Sequence, residues 1–254
     1  MNAPESPSDT CLVTGASSGI GLAICNELLA TTTLSVLAVS RGAQSCDALD
    51  QLSARFPGRL SALNCDLCSD SHRQALGENI AAGNLVRVIN CAGLLHDHDR
   101  ALWPEKRIED VTAEGLHSLF SVNAYMPILL ARDMLALMPK DRPCLFASLS
   151  ARVGSIGDNG LGGWYAYRAA KAAQNQLLKT FAIEMGRRRP NLCVLMLHPG
   201  TTDTPLSAPF QKNVSKEKLF PAHRVARALL GLMDAATPGD SGRFLAWDGQ
   251  DIPW

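Results

Sequence analysis

Short aliphatic runs of strand character alternate along this chain with longer stretches whose apolar residues recur at helical spacing, and that alternation admits few architectures. A strand that returns through a crossover helix pairs with a parallel neighbour, and repeated units build a sheet covered by helices on both faces. The strand candidates are Cys11 to Thr14, Leu34 to Ser40, Leu60 to Cys65, Val86 to Asn90, Cys144 to Leu149, Leu192 to His198 and Arg243 to Trp247. The spacing predicts helices near Ile20 to Leu29, Asp47 to Ala54, Ser71 to Ala82, Thr112 to Leu137, Trp164 to Arg188 and Ala222 to Ala235. The expected fold class is α/β: a doubly wound parallel sheet of about seven strands.

No repeat, low-complexity tract or Pro/Gly/Ser-rich linker splits the 254 residues, so one domain over residues 10–254 is expected behind a flexible tail at 1–9. At 46% hydrophobic residues, the chain has the material for a large core. Its 24 Lys+Arg balance 24 Asp+Glu, which removes the electrostatic footprint of a nucleic-acid or anionic-membrane binder. No apolar run approaches the ~18 residues of a membrane span. The opening MNAPESPSD lacks the basic and apolar regions of a secretory signal. Eight cysteines spread along apolar segments read as buried free thiols, which favours a reducing, cytoplasmic location. Two irregular segments, Leu94 to Asp110 and the proline-rich Gly200 to Pro221, are expected to be functional loops, the second a mobile flap that sets substrate choice.

After the first strand comes Thr14-Gly15-Ala16-Ser17-Ser18-Gly19-Ile20-Gly21, with a helix starting inside it. Glycines let backbone approach a ligand closely, and the N–H groups at a helix start attract an anion such as pyrophosphate. The spacing is TGxxxGxG, and in it the chain resembles the short-chain dehydrogenase/reductase family, which implies a Rossmann-like fold. Asn90-Cys91-Ala92-Gly93 resembles the family's NNAG, with Cys91 in place of the second Asn, and Cys65-Asp66-Leu67 resembles its adenine-contacting acidic pair. The resemblance implies that Gly15, Ser17, Ser18, Gly19, Ile20, Gly21, Asp66, Leu67, Asn90, Ala92 and Gly93 bind a dinucleotide. At the end of the second strand, Ser40-Arg41 stands where an acid would select the ribose hydroxyl, and a guanidinium there accommodates a 2′-phosphate. The expected cofactor is therefore NADP(H).

Tyr167 and Lys171, four residues apart, project from one helix face. A phenol titrates near ~10 and is a poor proton source at neutrality; a nearby ammonium is expected to lower that value. By resemblance to the family's YxxxK pair, Tyr167 protonates the carbonyl oxygen and Lys171 also holds the nicotinamide ribose. The family's serine donor has two candidates in Ser148 and Ser150. Ser150 is taken, although an ungapped match puts Ala151 at the second Ser of SSxxG. The resemblance makes Asn123 a helix-kinking member of a water relay, and makes Pro199, Gly200, Thr202 and Thr204 the turn over the nicotinamide, as in PGxxxT. The segments around Leu94 to Asp97, Pro104-Glu105-Lys106 and Gly162 to Arg168, with the ending Gly249 to Trp254, look like the branch that holds the C-factor signalling protein and sniffer-type carbonyl reductases.

The function implied is NADPH-dependent reduction of an aldehyde, ketone or quinone, a small-molecule partner. The alternative is an NADP(H)-binding signalling or regulatory protein with incidental turnover. By analogy with the fold, a homodimer or homotetramer is expected. Cys65-Asp66-Leu67-Cys68 lacks the second CxxC or His pair of a metal set, and the alternating His96 to Asp99 run reads as a solvated polar turn, so no metal is assigned.

Overall fold

The structure, a computed structural model, describes residues 9–254. In chain order the elements are β1 (Thr10–Thr14), α1 (Gly19–Thr31), β2 (Ser35–Ser40), α2 (Asp47–Arg55), β3 (Leu60–Asn64), α3 (Asp70–Leu76) and β4 (Leu85–Asn90). They continue through α4 (Ala113–Phe120), α5 (Met126–Met134), β5 (Cys144–Leu149), α6 (Tyr165–Arg188), β6 (Leu192–His198), β7 (Thr201–Asp203), β8 (Leu219–Pro221), α7 (Ala222–Ala235) and β9 (Arg243–Ala246). Seven strands form one parallel sheet in the order β3-β2-β1-β4-β5-β6-β9.

Side chains alternate across each strand, so adjacent residues feed opposite cores. Cys11 and Val13 join one core, with Ile24 and Leu28 of α1 and Val225 and Leu229 of α7. Leu12 points the other way, into a core with Leu130 of α5 and Leu178 and Met185 of α6. The strands are apolar on both faces because helices cover both.

Of the expected tail at 1–9, residues 1–8 lie outside the described residues. Asp9 is pinned by two 2.6 Å hydrogen bonds from the Arg142 guanidinium. The continuous helix expected over 112–137 is interrupted at Ser121–Tyr125 by a turn of π-helix, in which the Met126 N–H donates to the Ser121 carbonyl. Two residues explain the break. Pro127 has no N–H to offer the Asn123 carbonyl four residues back, and Asn123 Nδ2 bonds the Leu119 carbonyl at 3.0 Å, competing with the helix ladder. The segment expected as a free flap is anchored at both ends, since β7 pairs with β8 and a 3-10 helix at Ala208–Asn213 packs between them in sequence. The cysteines are all free, but Cys68 is exposed and Cys46 and Cys91 only partly buried, a correction to eight buried thiols. Among the described residues, no helix is long and apolar enough to cross a membrane.

Candidate active site

β1 lies between β2 and β4, and the elements that follow β1 and β4 pack on opposite faces. This divergence opens a crevice at the carboxyl ends of the strands, where ligands bind in such sheets. A cavity of about 930 Å³ occupies it. The turn from β1 to α1 forms one wall. Gly15 has φ +63, and a Cβ there would stand 2.9 Å from the Ala92 nitrogen. Ser18 precedes α1 without a side-chain cap, and no acid sits in the first turn, so the helix N–H groups are left for an anion. At the rim, Ser40 Oγ is buried without a partner beside the exposed Arg41.

The opposite wall carries α6. Its N-cap residue, Trp164, is left-handed (φ 53) and provides no cap. Glu105 does so from a distant loop: its carboxylate accepts the Ala166 N–H at 3.2 Å and its carbonyl accepts the Trp164 N–H at 2.6 Å. That fixes the first turn of the helix, from which Tyr167 faces the cavity. Lys171 follows one turn later, its Nζ 5.9 Å from the centre of the Tyr167 ring. The Nζ donates to the Leu149 carbonyl at 2.9 Å and to Gln174 Oε1 at 2.8 Å. The expected lowering of the Tyr167 phenol is not found; burial out of water pushes it up. The phenol is thus held protonated.

Burial also brings the Lys171 ammonium down to about 7 from the usual 10.5. Between those values the folded chain binds fewer protons here than the unfolded chain, so this contribution to stability is full above the unfolded value and is lost as pH falls toward 7. The unfolding free energy of the wild type minus that of Lys171→Met is expected to rise by a few kcal/mol between about pH 7 and pH 10. A flat or falling difference would remove the buried lysine from this account.

A buried polar network joins the two walls. Thr14 Oγ1 donates to Asn90 Oδ1 (2.6 Å), Asn90 Nδ2 to Ser148 Oγ (2.8 Å), Gln174 Nε2 to Ser148 Oγ (3.0 Å), and Lys171 closes the chain on Gln174. Ser148 is fully buried within it. Ser150, by contrast, lines the cavity, and its Oγ donates to Asn175 Oδ1 at 2.7 Å.

A family model described as short chain dehydrogenase matches residues 9–215. The chain belongs to the short-chain dehydrogenase family. C-signal of Myxococcus xanthus is 29% identical over 181 residues, which are 71% of this chain and 99% of that protein. A carbonyl reductase from Pseudomonas aeruginosa PAO1 in complex with NADP superposes with a TM-score of 0.78 at 26% identity, over 97% of this chain and all of that one (100%). The NADPH-bound carbonyl reductase from chicken fatty liver shares the fold, with a TM-score of 0.84 at 24% identity over 97% and 99% of the two chains.

In this short-chain dehydrogenase, all the site residues expected from the sequence line the one cavity except Asn90 and Asn123. Asn90 is fully buried in the network between Thr14 and Ser148, and it braces the cavity floor without facing it. Asn123 is fully buried too: Nδ2 donates to the Leu94 carbonyl (2.7 Å) and Oδ1 accepts the Leu94 N–H (3.0 Å), so the side chain clamps the loop after β4. Sequence reasoning missed Gln174, Asn175, Glu105 and Arg73. Arg73, fully buried on α3, donates to the Leu67 carbonyl at 2.6 Å and to Asp133 at 2.9 Å, setting the turn that carries Asp66. An arginine in a polar helical stretch gives no sign of this; only the apolar residues flanking Gln174 and Asn175 hinted that amides there would be buried.

Proposed function

We propose that this short-chain dehydrogenase is an NADPH-dependent carbonyl reductase, with Tyr167 as the proton donor. One observation carries the reading: the buried, protonated Tyr167 and the Ser150 hydroxyl open into the same cavity as an uncapped helix start and the Ser40-Arg41 rim. The residues fit the cofactor. The N–H groups at the start of α1 suit a pyrophosphate, while Arg41 and the unpartnered Ser40 Oγ suit a 2′-phosphate. The carbonyl reductase from Pseudomonas aeruginosa in complex with NADP points the same way.

The chemistry NADPH supplies when bound is hydride donation. Tyr167 Oη gives its proton to the substrate's carbonyl oxygen, and its raised affinity keeps that proton in place until negative charge develops. Ser150 Oγ holds the same oxygen. Its proton lies on Asn175 Oδ1, while Asn175 Nδ2 is buried without a partner. A half-turn of the Asn175 amide would make Nδ2 the donor to Ser150 Oγ and release the serine O–H to the carbonyl. Lys171 Nζ, held by Leu149 and Gln174 at 5.9 Å from the centre of the Tyr167 ring, would in its protonated form offset the negative charge left as the proton leaves. The relay role expected of Asn123 would fall to its backbone carbonyl, since its side chain is spent on Leu94 and Pro127 has no N–H to offer that carbonyl.

Arg41→Asp is expected to raise the Kd for NADPH at least about tenfold while leaving the Kd for NADH within about threefold, since a phosphate loses a charge-assisted partner and gains a repulsive one. Titration of both nucleotides against both proteins checks this; unchanged discrimination would withdraw NADPH as the preferred cofactor. The reductase reading is tested by adding aldehydes, ketones and quinones to purified protein with NADPH and following cofactor oxidation. Tight NADPH binding without turnover of any carbonyl would favour a regulatory protein instead, a reading that the likeness to C-signal keeps in view. We extend the proposal to a cytoplasmic homodimer or homotetramer, which exposed Tyr125 and Ile183 on the outer helices would help to join.

A further inference from the structure

We propose that Gln174 is a positioning residue of the reductase: its amide oxygen holds Lys171 as an ammonium on the cavity wall that the lysine shares with Tyr167. The inference rests on the carbonyl reductase reading and adds to it a residue that lies outside the YxxxK, SSxxG and PGxxxT motifs.

Gln174 stands on α6 three residues after Lys171, so the two side chains share a helix face. It is fully buried, where a primary amide needs partners for its acceptor and its donors. It has them. Lys171 Nζ donates to Gln174 Oε1 at 2.8 Å, while Nε2 donates to Ser148 Oγ at 3.0 Å and to the Leu149 carbonyl at 3.1 Å. An ammonium only donates, so the amide must turn its oxygen to Nζ; the reversed amide would set donor against donor. The far side agrees, since Asn90 Nδ2 also donates to Ser148 Oγ at 2.8 Å and makes it an acceptor. A second Nζ proton goes to the Leu149 carbonyl at 2.9 Å, which leaves the third for the cavity that Lys171 lines.

Among the described residues no carboxylate pairs with Nζ, so the amide oxygen is the side-chain acceptor for this charge. The charged and titratable groups on the elements around it are otherwise engaged or turned outward. Arg168 of α6 donates to the Gly163 carbonyl, Arg152 after β5 pairs with Asp158 at 3.1 Å, and Asp133 of α5 is held by Arg73. Glu114 and His117 of α4 are exposed, as is Tyr125 of the π-turn. His198, at the end of β6, has Arg152 and Asp248 near it, and burial keeps Tyr167 and the Cys91 thiol after β4 neutral. Burial also brings the Lys171 ammonium to about 7 from 10.5. Near neutral pH its charged and neutral forms are closely balanced, and one strong acceptor decides between them.

The test uses Gln174→Leu, which removes the acceptor at similar volume, and Gln174→Glu, which keeps an acceptor and adds negative charge. Lys171 is titrated in each protein by NMR of ¹³C-labelled lysine, its signal recognised by its loss in Lys171→Met. The fall of kcat at alkaline pH is followed with NADPH and an aldehyde. Relative to wild type, the Lys171 midpoint is expected to drop by at least about one pH unit in Gln174→Leu and to rise by about one in Gln174→Glu, and the alkaline limb of kcat should move with it. A role in packing alone would lower Tm or kcat in both variants without moving the midpoint in opposite directions. Should Gln174→Leu fail to fold, Gln174→Met, which keeps the length without the oxygen, takes its place. No drop in the variant lacking the oxygen, a drop in Gln174→Glu, or a kcat limb that stays put while the midpoint moves overturns the inference even if carbonyls are reduced. Opposite shifts of the midpoint with no carbonyl turned over would uphold the hold of Gln174 on Lys171 and remove the reductase reading.

Discussion

Tyr167→Phe is expected to yield a folded protein that binds NADPH and reduces nothing at a useful rate. The substitution removes one oxygen from a side chain that is 7% exposed and keeps the ring that packs against Trp164 at 6.1 Å, so the fold has no reason to change. It removes the only hydroxyl among the three tyrosines that faces the cavity, since Tyr125 and Tyr165 do not line it. General acid catalysis contributes about 10²–10⁴-fold, and kcat should fall by that factor with the Kd for NADPH unchanged within about twofold. Single-turnover kinetics and a cofactor titration on the same preparation measure both. A kcat within tenfold of wild type would strip Tyr167 of its assigned role; a parallel loss of NADPH affinity would make it a cofactor-binding residue instead.

Gly21→Ala is expected to damage the cofactor site more than any other one-carbon change in the chain. A Cβ at this position would lie 2.3 Å from the Gly15 carbonyl oxygen, 2.8 Å from its carbon and 3.1 Å from the Thr14 oxygen. All three are backbone atoms, so no side chain can swing aside. Either α1 shifts along its axis or the turn opens, and both displace the N–H groups offered to a pyrophosphate. We expect the Kd for NADPH to rise by at least about 10²-fold, with a loss of stability on the order of 1–3 kcal/mol for overpacking. Gly186→Ala in α6 is the control. Nothing lies within 4 Å of its Cβ, and an exposed helical Gly replaced by Ala should gain about 0.5–1 kcal/mol. Thermal unfolding and nucleotide titration of the pair check both signs. NADPH affinity within threefold of wild type for Gly21→Ala would show that the turn is not where the phosphates sit.

The two variants probe what was differently legible in the sequence. The turn at Thr14 to Gly21 could be read because its chemistry is local: residues adjacent in the chain make a structure whose glycines are required by their own neighbours. The YxxxK pair was legible for the same reason, one helical turn separating its members. The choice between Ser148 and Ser150 was not. Ser148 sits in β5 and Ser150 just past its end, and what separates them is that Asn90 and Gln174 enclose the first while the second lines the cavity. The direction of the Tyr167 shift was also out of reach, because it turns on how deeply the folded chain buries the phenol.

Alternating strand and helix patterns determined by themselves that this chain makes a doubly wound parallel sheet, and contiguous motifs determined which strand ends carry the chemistry. These are consequences of periodicity and short-range spacing, which a linear chain states openly. Tertiary structure alone decided that Glu105 starts α6 from sixty-one residues upstream of Ala166, that a proline and an asparagine break the helix before α5, and that among the described residues His96 has both ring nitrogens buried without a partner. Each of these depends on a polar group meeting, or failing to meet, a partner far away in the chain, and such meetings exist only once the sheet has brought its edges and loops together.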